Sequence, residues 1–428
     1  MQRRVVITGL GVVAPNGIGK EDFWNASISG RSGVRRITRF DASPLQSQIA
    51  GEVANFDPEG LGLTPDEIQR TDRCTQLGLA AANLALQDAG LGAINRPPTL
   101  SEAERDRVGV YMGSAMSSVE EGEKLWRQLT SNGTHPPRAM LDKQISATLL
   151  LTHASAMMIA AHHQLHGPCT VISTGCSAGA DAIGQAFWTI QEGRADRMLA
   201  GGTDSAITYA GLDVFCVMGA LSKRNHEPPR ASRPYDRERD GFVMAEGAGV
   251  LVLEEREQAL ARNAHIYAEL ITFASSNNAY HMTSLPENGA PLQNLLAQAL
   301  QEAGISPRQL GYINSHGSST PTNEVVETVA YKAIFGEHAY SIPISSTKSM
   351  IGHTQGAASA IETIVATLVL EHQVIPPTIN QEFPDPRCDL DYVPNIARPA
   401  AVDVALTHSS GFGGVNSALI VARPDWRK

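Results

Sequence analysis

One cysteine stands where a buried strand is expected to pass into a helix. Cys176 follows the strand-like run Cys169–Ser173 and precedes the helix-like run Ala178–Glu192, among small residues. A nucleophile at such a turn is accessible, its backbone N–H is free, and the helix N-terminus favours a thiolate with a lowered pKa. The alternative is that Cys176 is a buried structural cysteine. The other cysteines lack this context and are expected to be packing or surface residues: Cys74, Cys169, Cys216 and Cys388.

Two histidines and a lysine follow short strand-like runs in the C-terminal half. His316 and His353 each stand beside a glycine after such a run, and Lys348 precedes His353 by five positions. In open α/β folds, sites form at the carboxyl ends of strands. Neutral imidazole N–H groups stabilise a developing oxyanion or enolate, which is chemistry that suits a cysteine nucleophile. A structural imidazole bonded to backbone remains the alternative for each histidine taken alone.

Two further features would complete such a site. Glu327, about one helix turn beyond the His316 loop, is the acidic candidate to pair with Lys348. The segment Ser409–Asn416 is glycine-dense. Its turn can present backbone N–H groups as an oxyanion hole, with Phe412 as an apolar wall.

Alternating strands and helices must position these residues. Strands are predicted at Arg4–Thr8, Arg107–Met112, Cys169–Ser173, Met198–Ala200, Gly249–Glu254, Ala268–Phe273, Tyr312–Ser315, Ile344–Ser346 and Leu419–Ala422. Helices are predicted at Asp72–Leu91, Ala147–His163, Ala178–Glu192, Pro291–Ala303, Asn323–Phe335 and Gly356–His372. This alternation is typical of an α/β protein with mostly parallel sheets covered on both faces. The second half repeats the theme of the first, so we predict two packed halves, residues 1–255 and 256–428, that share a core.

The composition limits the classes of function. Lys and Arg number 34 against 44 Asp and Glu, a net charge of −10, and nucleic-acid binding needs a basic face instead. No uncharged apolar run reaches the ~20 residues that span a bilayer. Five irregularly spaced cysteines do not form a disulfide framework. We therefore expect a cytoplasmic protein with reduced thiols and with neither a nucleic-acid nor a membrane partner.

The ordered set Cys176, His316, Lys348 and His353 resembles the condensing-enzyme (thiolase-fold) superfamily, specifically the β-ketoacyl-acyl-carrier-protein synthases. The resemblance covers essentially the whole chain. Further matching segments are Val5–Gly11, Arg233–Phe242, Asn278–Thr283 and Gly411–Asn416. The resemblance implies a five-layer α-β-α-β-α fold from a duplicated βαβαβαββ unit, an obligate dimer, and no cofactor, since substrates are carried on the phosphopantetheine of an acyl carrier protein.

The resemblance also implies a decarboxylative Claisen condensation. Cys176 would take the growing acyl chain, and its tetrahedral oxyanion would lie between the N–H groups of Cys176 and Phe412. His316 and His353 would hold the malonyl thioester carbonyl while decarboxylation produces an enolate, and His316 would also help the departing carboxylate or a water. Phe412 would gate between the two half-reactions.

The remaining roles also come from the resemblance. Lys348, paired with Glu327, would hold the environment of the histidines. Ser318 and Thr320 would hydrogen-bond the pantetheine amides. Met116 would line the acyl pocket near the dimer interface.

The subfamily is indicated by shorter segments. Those that resemble ketosynthase-alpha subunits of type II polyketide synthases, which pair with a Cys-less chain-length factor, are Ser173–Cys176, Phe40–Pro44, Gln48–Glu52 and Cys388–Pro394. Ser284–Gly289 and His316–Pro321 lean toward elongating fatty-acid synthases that act as homodimers. We favour the polyketide subunit. A non-catalytic chain-length subunit is disfavoured by Cys176, and a thiolase by Cys388, which is not in a glycine turn.

Acyl carrier proteins are strongly acidic and this chain has a net negative charge, so the net charge cannot attract the two proteins to each other. We therefore expect a local basic patch at the mouth of the substrate tunnel. The candidates are Arg70 and Arg73 on the early helix, and Lys223 with Arg224; ordinary solvated surface is the alternative for each pair.

Two apparent motifs are weak. His162 and His166 lie one helix turn apart, but no third ligand accompanies them, so we expect no metal site. Gly9-Leu10-Gly11 resembles the start of a dinucleotide loop, but Ala14 stands where G-x-G-x-x-G requires its third glycine. We therefore expect no nicotinamide or flavin.

Overall fold

The alternating pattern produces strands and helices throughout the part of the chain that the structure, a computed structural model, describes: residues 3–94, 98–136 and 151–426. The strands are β1 (Val5–Ala14), β2 (Gly17–Ile18), β3 (Val34–Arg36), β4 (Ile49–Gly51), β5 (Val108–Gly113), β6 (Cys169–Ile172), β7 (Arg197–Asp204), β8 (Gly247–Glu255), β9 (Ala268–Asn277), β10 (Tyr312–Asn314), β11 (Ile344–Ser345), β12 (Val374–Ile375), β13 (Arg398–Pro399), β14 (Val404–Ser410) and β15 (Val415–Ala422). The helices are α1 (Lys20–Ile28), α2 (Pro65–Arg70), α3 (Arg73–Asp88), α4 (Glu102–Arg105), α5 (Val119–Thr130), α6 (Ala154–His163), α7 (Ala178–Gln191), α8 (Tyr209–Val217), α9 (Arg256–Ala261), α10 (Ala290–Ala303), α11 (Asn323–Phe335), α12 (Lys348–Ile351) and α13 (Ala358–His372).

The main strands form one large sheet in the order β11-β10-β14-β15-β9-β1-β8-β7-β5-β6, with β2 beside β1. Strands of the two sequence halves meet where β1 pairs antiparallel with β9, with Val5 opposite Leu270. Pairs toward both ends are parallel, whereas the middle is antiparallel. The expectation of mostly parallel sheets is therefore wrong for the middle. There the turn at residues 411–414 joins β14 to β15, and a turn that short permits only an antiparallel pair.

Five layers of helix and strand are stacked, as the resemblance predicts. Helices α7 and α13 lie between the two halves of the sheet, and α13 is buried from Ala358 to Leu370. Helices α3 and α6 cover the outer face of the N-terminal strands, and α10 and α11 cover that of the C-terminal strands. In β15, Leu419 faces the central helices and Ile420 faces the outer ones, since successive side chains point to opposite faces of a strand.

The glycines of β1 serve helix packing. A Cβ atom on Gly11 would lie 1.9 Å from the carbonyl oxygen of Ala81 in α3, and one on Gly9 would lie 2.3 Å from that of Ala85. Both glycines lie inside a ten-residue strand and are not part of a phosphate loop. The backbone of α3 can therefore approach the sheet closely, and this explains Gly9-Leu10-Gly11 without a nucleotide.

Some of the helices begin and end at the predicted residues, and others do not. Helix α11 spans Asn323–Phe335 as predicted. Helix α6 begins at Ala154, and residues 147–150 of its predicted range lie outside the described residues. The proposed boundary at residues 255 and 256 falls between β8 and α9 and stays a prediction. None of the helices within the described ranges is long and apolar enough to cross a bilayer.

Candidate active site

The strand–turn–helix prediction for Cys176 is confirmed. After β6, the chain makes one 3₁₀ turn, Gly175–Ser177, and then enters α7. Gly175 has φ +63°, a conformation that a side chain would strain, so the glycine permits the sharp turn. Cys176 itself is 8% exposed. The glycine turn after β14 packs against it, because a Cβ on Gly411 would lie 3.1 Å from the Cys176 nitrogen.

The ionisation of Cys176 differs from the expectation. Burial raises the pKa of the thiol to about 11, although the Lys348 ammonium and a hydrogen bond from the Phe412 N–H both favour the thiolate. The expectation of a lowered pKa is therefore wrong, because burial outweighs the groups that favour the charged form. Cys176 is a thiol near neutral pH and must lose its proton when an acyl chain arrives.

The two histidines lie side by side with different hydrogen bonds. Their ring centroids are 5.4 Å apart, and the rings are almost perpendicular. The Gln355 backbone N–H donates to His353 Nδ1 at 3.1 Å, so the proton of the neutral ring is on Nε2. Ser409 Oγ donates to the Cys176 carbonyl oxygen at 3.1 Å and lies 3.2 Å from His316 Nδ1. This network assigns the His316 proton to Nδ1 and leaves a lone pair on Nε2.

Both imidazoles are held neutral. Burial and the nearby Lys348 ammonium lower the pKa of His316 and of His353 well below the usual value. With the tautomers assigned above, His353 Nε2 is a hydrogen-bond donor and His316 Nε2 is an acceptor. The expectation that both histidines hold the malonyl thioester carbonyl is therefore met by His353 but not by His316 in this arrangement, because a ring nitrogen with a lone pair does not donate. The site therefore combines a donor for an oxyanion with a proton acceptor.

The predicted pairing of Lys348 with Glu327 is wrong. Lys348 Nζ donates to the His316 carbonyl oxygen at 2.7 Å, and its ion-pair partner is the buried Glu362. Burial raises the pKa of Glu362 to about 7, against the effect of the Lys348 charge. Glu362 lies on α13, which is why its sequence position gave no sign of this pair.

Glu327 instead supports the loop that follows His316. It accepts a hydrogen bond from the Tyr235 hydroxyl at 2.6 Å and one from the Gly317 N–H at 3.1 Å. Burial raises the pKa of its carboxyl, although Lys348 and these donors favour the charged form. Glu327 therefore acts on His316 through the backbone of the loop.

A cavity of about 560 Å³ brings six of the predicted residues together. These are Cys176, His316, His353, Ser318, Thr320 and Phe412. Ser318 Oγ and Thr320 Oγ1 are 3.1 Å apart and line one wall, where both hydroxyls can meet a polar substrate arm. Their predicted roles toward pantetheine stay predictions.

Phe412 and Met116 occupy different positions. Phe412 is 40% exposed, lines the cavity, and stacks on Phe215 with ring centroids 6.2 Å apart. Its role as a gate stays a prediction. Met116 is not among the residues that line this cavity. It packs in the cluster that contains Phe215 and Phe242, and only Phe242 of these three reaches the cavity wall.

The candidate basic patch divides into bound and exposed residues. Arg73 donates to both carboxylate oxygens of the buried Glu246 and to the Val53 carbonyl oxygen. Its charge is therefore neutralised inside the protein, and its assignment to an exposed docking patch is wrong. Arg70 is exposed and forms an ion pair with Asp66 one helix turn away.

Lys223 and Arg224 are close in sequence to residues that line the cavity. Lys223 is exposed, and Gly219 and Ala220, a few residues before it, line the cavity. Arg224 is partly buried and lies 3.7 Å from Glu238.

His162 of α6 and His166, which follows the end of this helix, contact different carboxylates. His162 Nδ1 lies 2.7 Å from Glu67, and His166 Nδ1 lies 2.9 Å from Asp106. Within the described residues, no group of three or more potential ligands could hold a metal ion.

The sequence did not single out four residues of the site. Ser409, Glu362, Gln355 and Asp204 hold the predicted residues in place. Asp204 accepts from the N–H groups of Ala115, Met116, Ser117 and Gly356, and so fixes the loop after β5 against the start of α13. An acidic residue at the end of a strand that reads as buried is the signal that could have found Asp204.

The chain belongs to the β-ketoacyl synthase family and is an acyltransferase. Residues 2–259 match the family's N-terminal domain, and residues 267–382 match its C-terminal domain.

Similar proteins come from two kinds of pathway. The tetracenomycin polyketide synthase ketoacyl synthase alpha subunit of Streptomyces glaucescens is 43% identical over 99% of this chain and 98% of its own length. The 3-oxoacyl-[acyl-carrier-protein] synthase 2 of Coxiella burnetii is 44% identical over 99% of both chains.

Similar solved structures include two ketosynthases. One is a type II polyketide ketosynthase in complex with its acyl-carrier protein and bound to the hexaketide, with a TM-score of 0.89, 39% identity, and coverage of 99% of this chain and 100% of that one. The ishigamide ketosynthase/chain length factor has a TM-score of 0.86 and 32% identity, with coverage of 99% and 100%. The thiolase-like fold class is confirmed.

Proposed function

We propose that the protein is the catalytic, alpha-type ketosynthase subunit of a type II polyketide synthase. It condenses an acyl chain on Cys176 with a malonyl group carried by an acyl carrier protein and extends the chain by two carbons. The observation that carries this proposal is the cavity in which a buried thiol meets two neutral histidines with opposite hydrogen-bonding roles. No cofactor takes part, since phosphopantetheine carries both substrates.

The first half-reaction transfers the acyl chain. The Cys176 sulfur attacks the thioester carbonyl, and the tetrahedral oxyanion is stabilised by the N–H groups of Cys176 and Phe412. His316 Nε2, which holds a lone pair, accepts the thiol proton. The proton then passes to the departing phosphopantetheine thiolate, so the new thioester forms as the old one breaks.

The second half-reaction forms the carbon–carbon bond. His353 Nε2–H donates to the malonyl thioester oxygen while the bond to the carboxylate breaks and carbon dioxide leaves. The resulting enolate carbon attacks the acyl-Cys176 carbonyl, and the Cys176 thiolate departs. A proton taken from solvent, which His316 Nε2 can relay, then restores the Cys176 thiol. Lys348 and Glu327 position His316 through its backbone and its loop, and do not contact substrate.

The carrier protein is proposed to dock near the cavity mouth. Lys223 and Arg224 supply positive charge next to the cavity-lining Gly219 and Ala220. The solved ketosynthase complex with an acyl-carrier protein supports a carrier partner for a protein of this fold. We propose that the protein acts in the cytoplasm, where its cysteines stay reduced.

The partner subunit is proposed to pair with β6. This strand ends the large sheet, pairs only with β5 among the described strands, and exposes the uncharged Cys169 and Thr170. Unprotected strand edges are templates for pairing with another chain. The carbonyl oxygens of Pro168 and Ile172 accept hydrogen bonds from backbone N–H groups at β5. Because successive residues of a strand direct their backbone N–H and C=O groups to opposite sides, those of Val171 point away from β5.

Substitution of proline at Val171 is expected to abolish dimerisation. Proline removes the outward N–H while the ladder to β5, made by the even-numbered residues, keeps its hydrogen bonds. Native mass spectrometry of the protein co-purified with a Cys-less ketosynthase homologue measures the result, and Val171→Ala, which retains the N–H, is the matched control. A Val171→Pro protein that remains dimeric would show that β6 is not the pairing edge.

The pathway is tested by supplying the missing partner. The chain is purified alone and after co-expression with a Cys-less ketosynthase homologue, and each sample receives malonyl-carrier protein. The polyketide proposal expects poly-β-keto products from the heterodimer and little activity from the chain alone. An active homodimer that elongates saturated acyl chains would favour the fatty-acid alternative, which the Coxiella burnetii relative supports.

A further inference from the structure

Gln355 is a polar residue in the cavity wall whose side chain has no assigned role. The residue is 4% exposed, and its side-chain nitrogen has no hydrogen-bond partner among the described residues. Its backbone has φ +52°, an unfavourable region for a residue with a side chain. An unsatisfied buried polar group destabilises the fold, because it has lost its hydrogen bonds to water without gaining others. Both features are typical of a residue whose side chain contacts a ligand.

The surroundings place Gln355 on the acyl side of the cavity. Its backbone N–H holds His353 Nδ1, which puts it beside the reacting centre. Gly356, the next residue, is tight against the loop that carries Met116: a Cβ on Gly356 would lie 2.5 Å from the Ala115 nitrogen. Gln355 thus lies between a histidine of the site and the loop predicted to border the acyl pocket.

The nearby walls are apolar. Phe242 lies edge-on to His353, with ring centroids 5.4 Å apart, and Phe242 and Phe412 both line the cavity with Gln355. A saturated acyl chain would pack well against these apolar walls, but it would leave the Gln355 amide without a hydrogen-bond acceptor. A chain that carries a ketone would present an oxygen that can accept a hydrogen bond from the amide.

We propose that the Gln355 side-chain amide donates a hydrogen bond to the β-keto oxygen of the acyl chain held on Cys176. Gln355 is then a specificity-determining residue that favours keto-bearing chains over saturated chains of the same length. This inference rests on the proposed function, because it requires an acyl chain on Cys176. A site that hydrogen-bonds a substrate oxygen rejects the analogue that lacks this oxygen, since its own polar group is left unpaired.

The test compares two four-carbon substrates. The protein co-purified with a Cys-less ketosynthase homologue is mixed with acetoacetyl-pantetheine or butyryl-pantetheine, and the acylation rate of Cys176 is measured by intact-protein mass spectrometry. The wild-type protein is expected to prefer the acetoacetyl chain. Gln355→Met keeps the length of the side chain but removes its amide, and is expected to reduce this preference about tenfold, mainly through slower acetoacetyl transfer. Met218→Leu, an apolar change in the same cavity, is expected to leave the ratio unchanged.

The outcomes separate the inference from the function. An unchanged ratio in Gln355→Met overturns the inference, and so does a higher malonyl-pantetheine KM with an unchanged acyl ratio, which would assign the amide to the malonyl carboxylate. If Gln355→Met does not fold, Gln355→Leu is measured on the same criterion. Failure of both thioesters to label wild-type Cys176 would instead contradict the proposed function.

Discussion

Substitution of alanine for Cys176 is expected to abolish acyl transfer and to leave malonyl decarboxylation measurable. The acyl chain has no other attachment point in the cavity, so condensation should fall by about 10⁴-fold or more. Decarboxylation depends on the His353 donor and not on the sulfur, and the cavity with both histidines is intact in the variant. The two half-reactions are therefore separable in one protein.

Acyl transfer and decarboxylation are measured separately. Transfer of a radiolabelled acyl group from the carrier protein reports Cys176, and carbon dioxide release from malonyl-carrier protein reports the histidines. His353→Ala is the matched variant with the opposite pattern: acylation persists, and decarboxylation falls by about 10²–10³-fold, as for the loss of one oxyanion donor. Labelling of Cys176→Ala would require another nucleophile, and unchanged gas release in His353→Ala would remove that residue from its role.

Substitution of methionine for Lys348 is expected to destabilise the fold by about 3–5 kcal/mol, because Glu362 is left as a buried carboxylate without its cation. The reverse change, Glu362→Leu, leaves the Lys348 ammonium buried without a counter-charge and should lower the free energy of unfolding by a similar amount. The double variant removes both charges and is expected to recover most of the stability of the wild-type protein. Its condensation rate should nevertheless stay low, because the ammonium no longer holds the His316 carbonyl oxygen, which lies 2.7 Å from it in the native protein.

Urea unfolding of the four proteins measures this coupling. The non-additive part of the double-variant cycle is the interaction energy of Lys348 with Glu362. Glu327→Gln provides the control: its hydrogen bonds to Tyr235 and Gly317 can be kept by an amide, so it should cost much less. Additive losses in the double variant would show that the two residues do not form the pair.

The sequence predicted the elements that have strong local signals. The helix Asn323–Phe335 and the turn at Cys176 were predicted correctly, because apolar periodicity and small turn residues act over a few positions. Strand β14 was missed, since Val404–Ser410 ends in polar residues that are buried only through packing against both neighbours. The antiparallel middle of the sheet was missed for the same reason: alternation of strands and helices does not specify which strands become neighbours.

The candidate site shows the same division. Cys176, His316, His353 and Phe412 could be found because each follows a strand or a glycine turn, and the structure brings them to one cavity. The partner of Lys348 could not be found, because Glu362 lies 14 residues further along the chain on the next long helix, α13, and no local sequence spacing links the two residues. Arg73 carried a charge that looked available, but a buried carboxylate far along the chain, Glu246, neutralises it.

The place of β1 in the sheet has a consequence for biosynthesis. Its neighbours β8 and β9 lie about 250 residues further along the chain, with Val5 opposite both Glu255 and Leu270. At about 5–20 residues per second, a ribosome needs roughly 12–50 seconds to deliver them. For that time the apolar ten-residue strand β1 has neither of its long neighbours, and its unpaired edges are exposed to pairing with other chains.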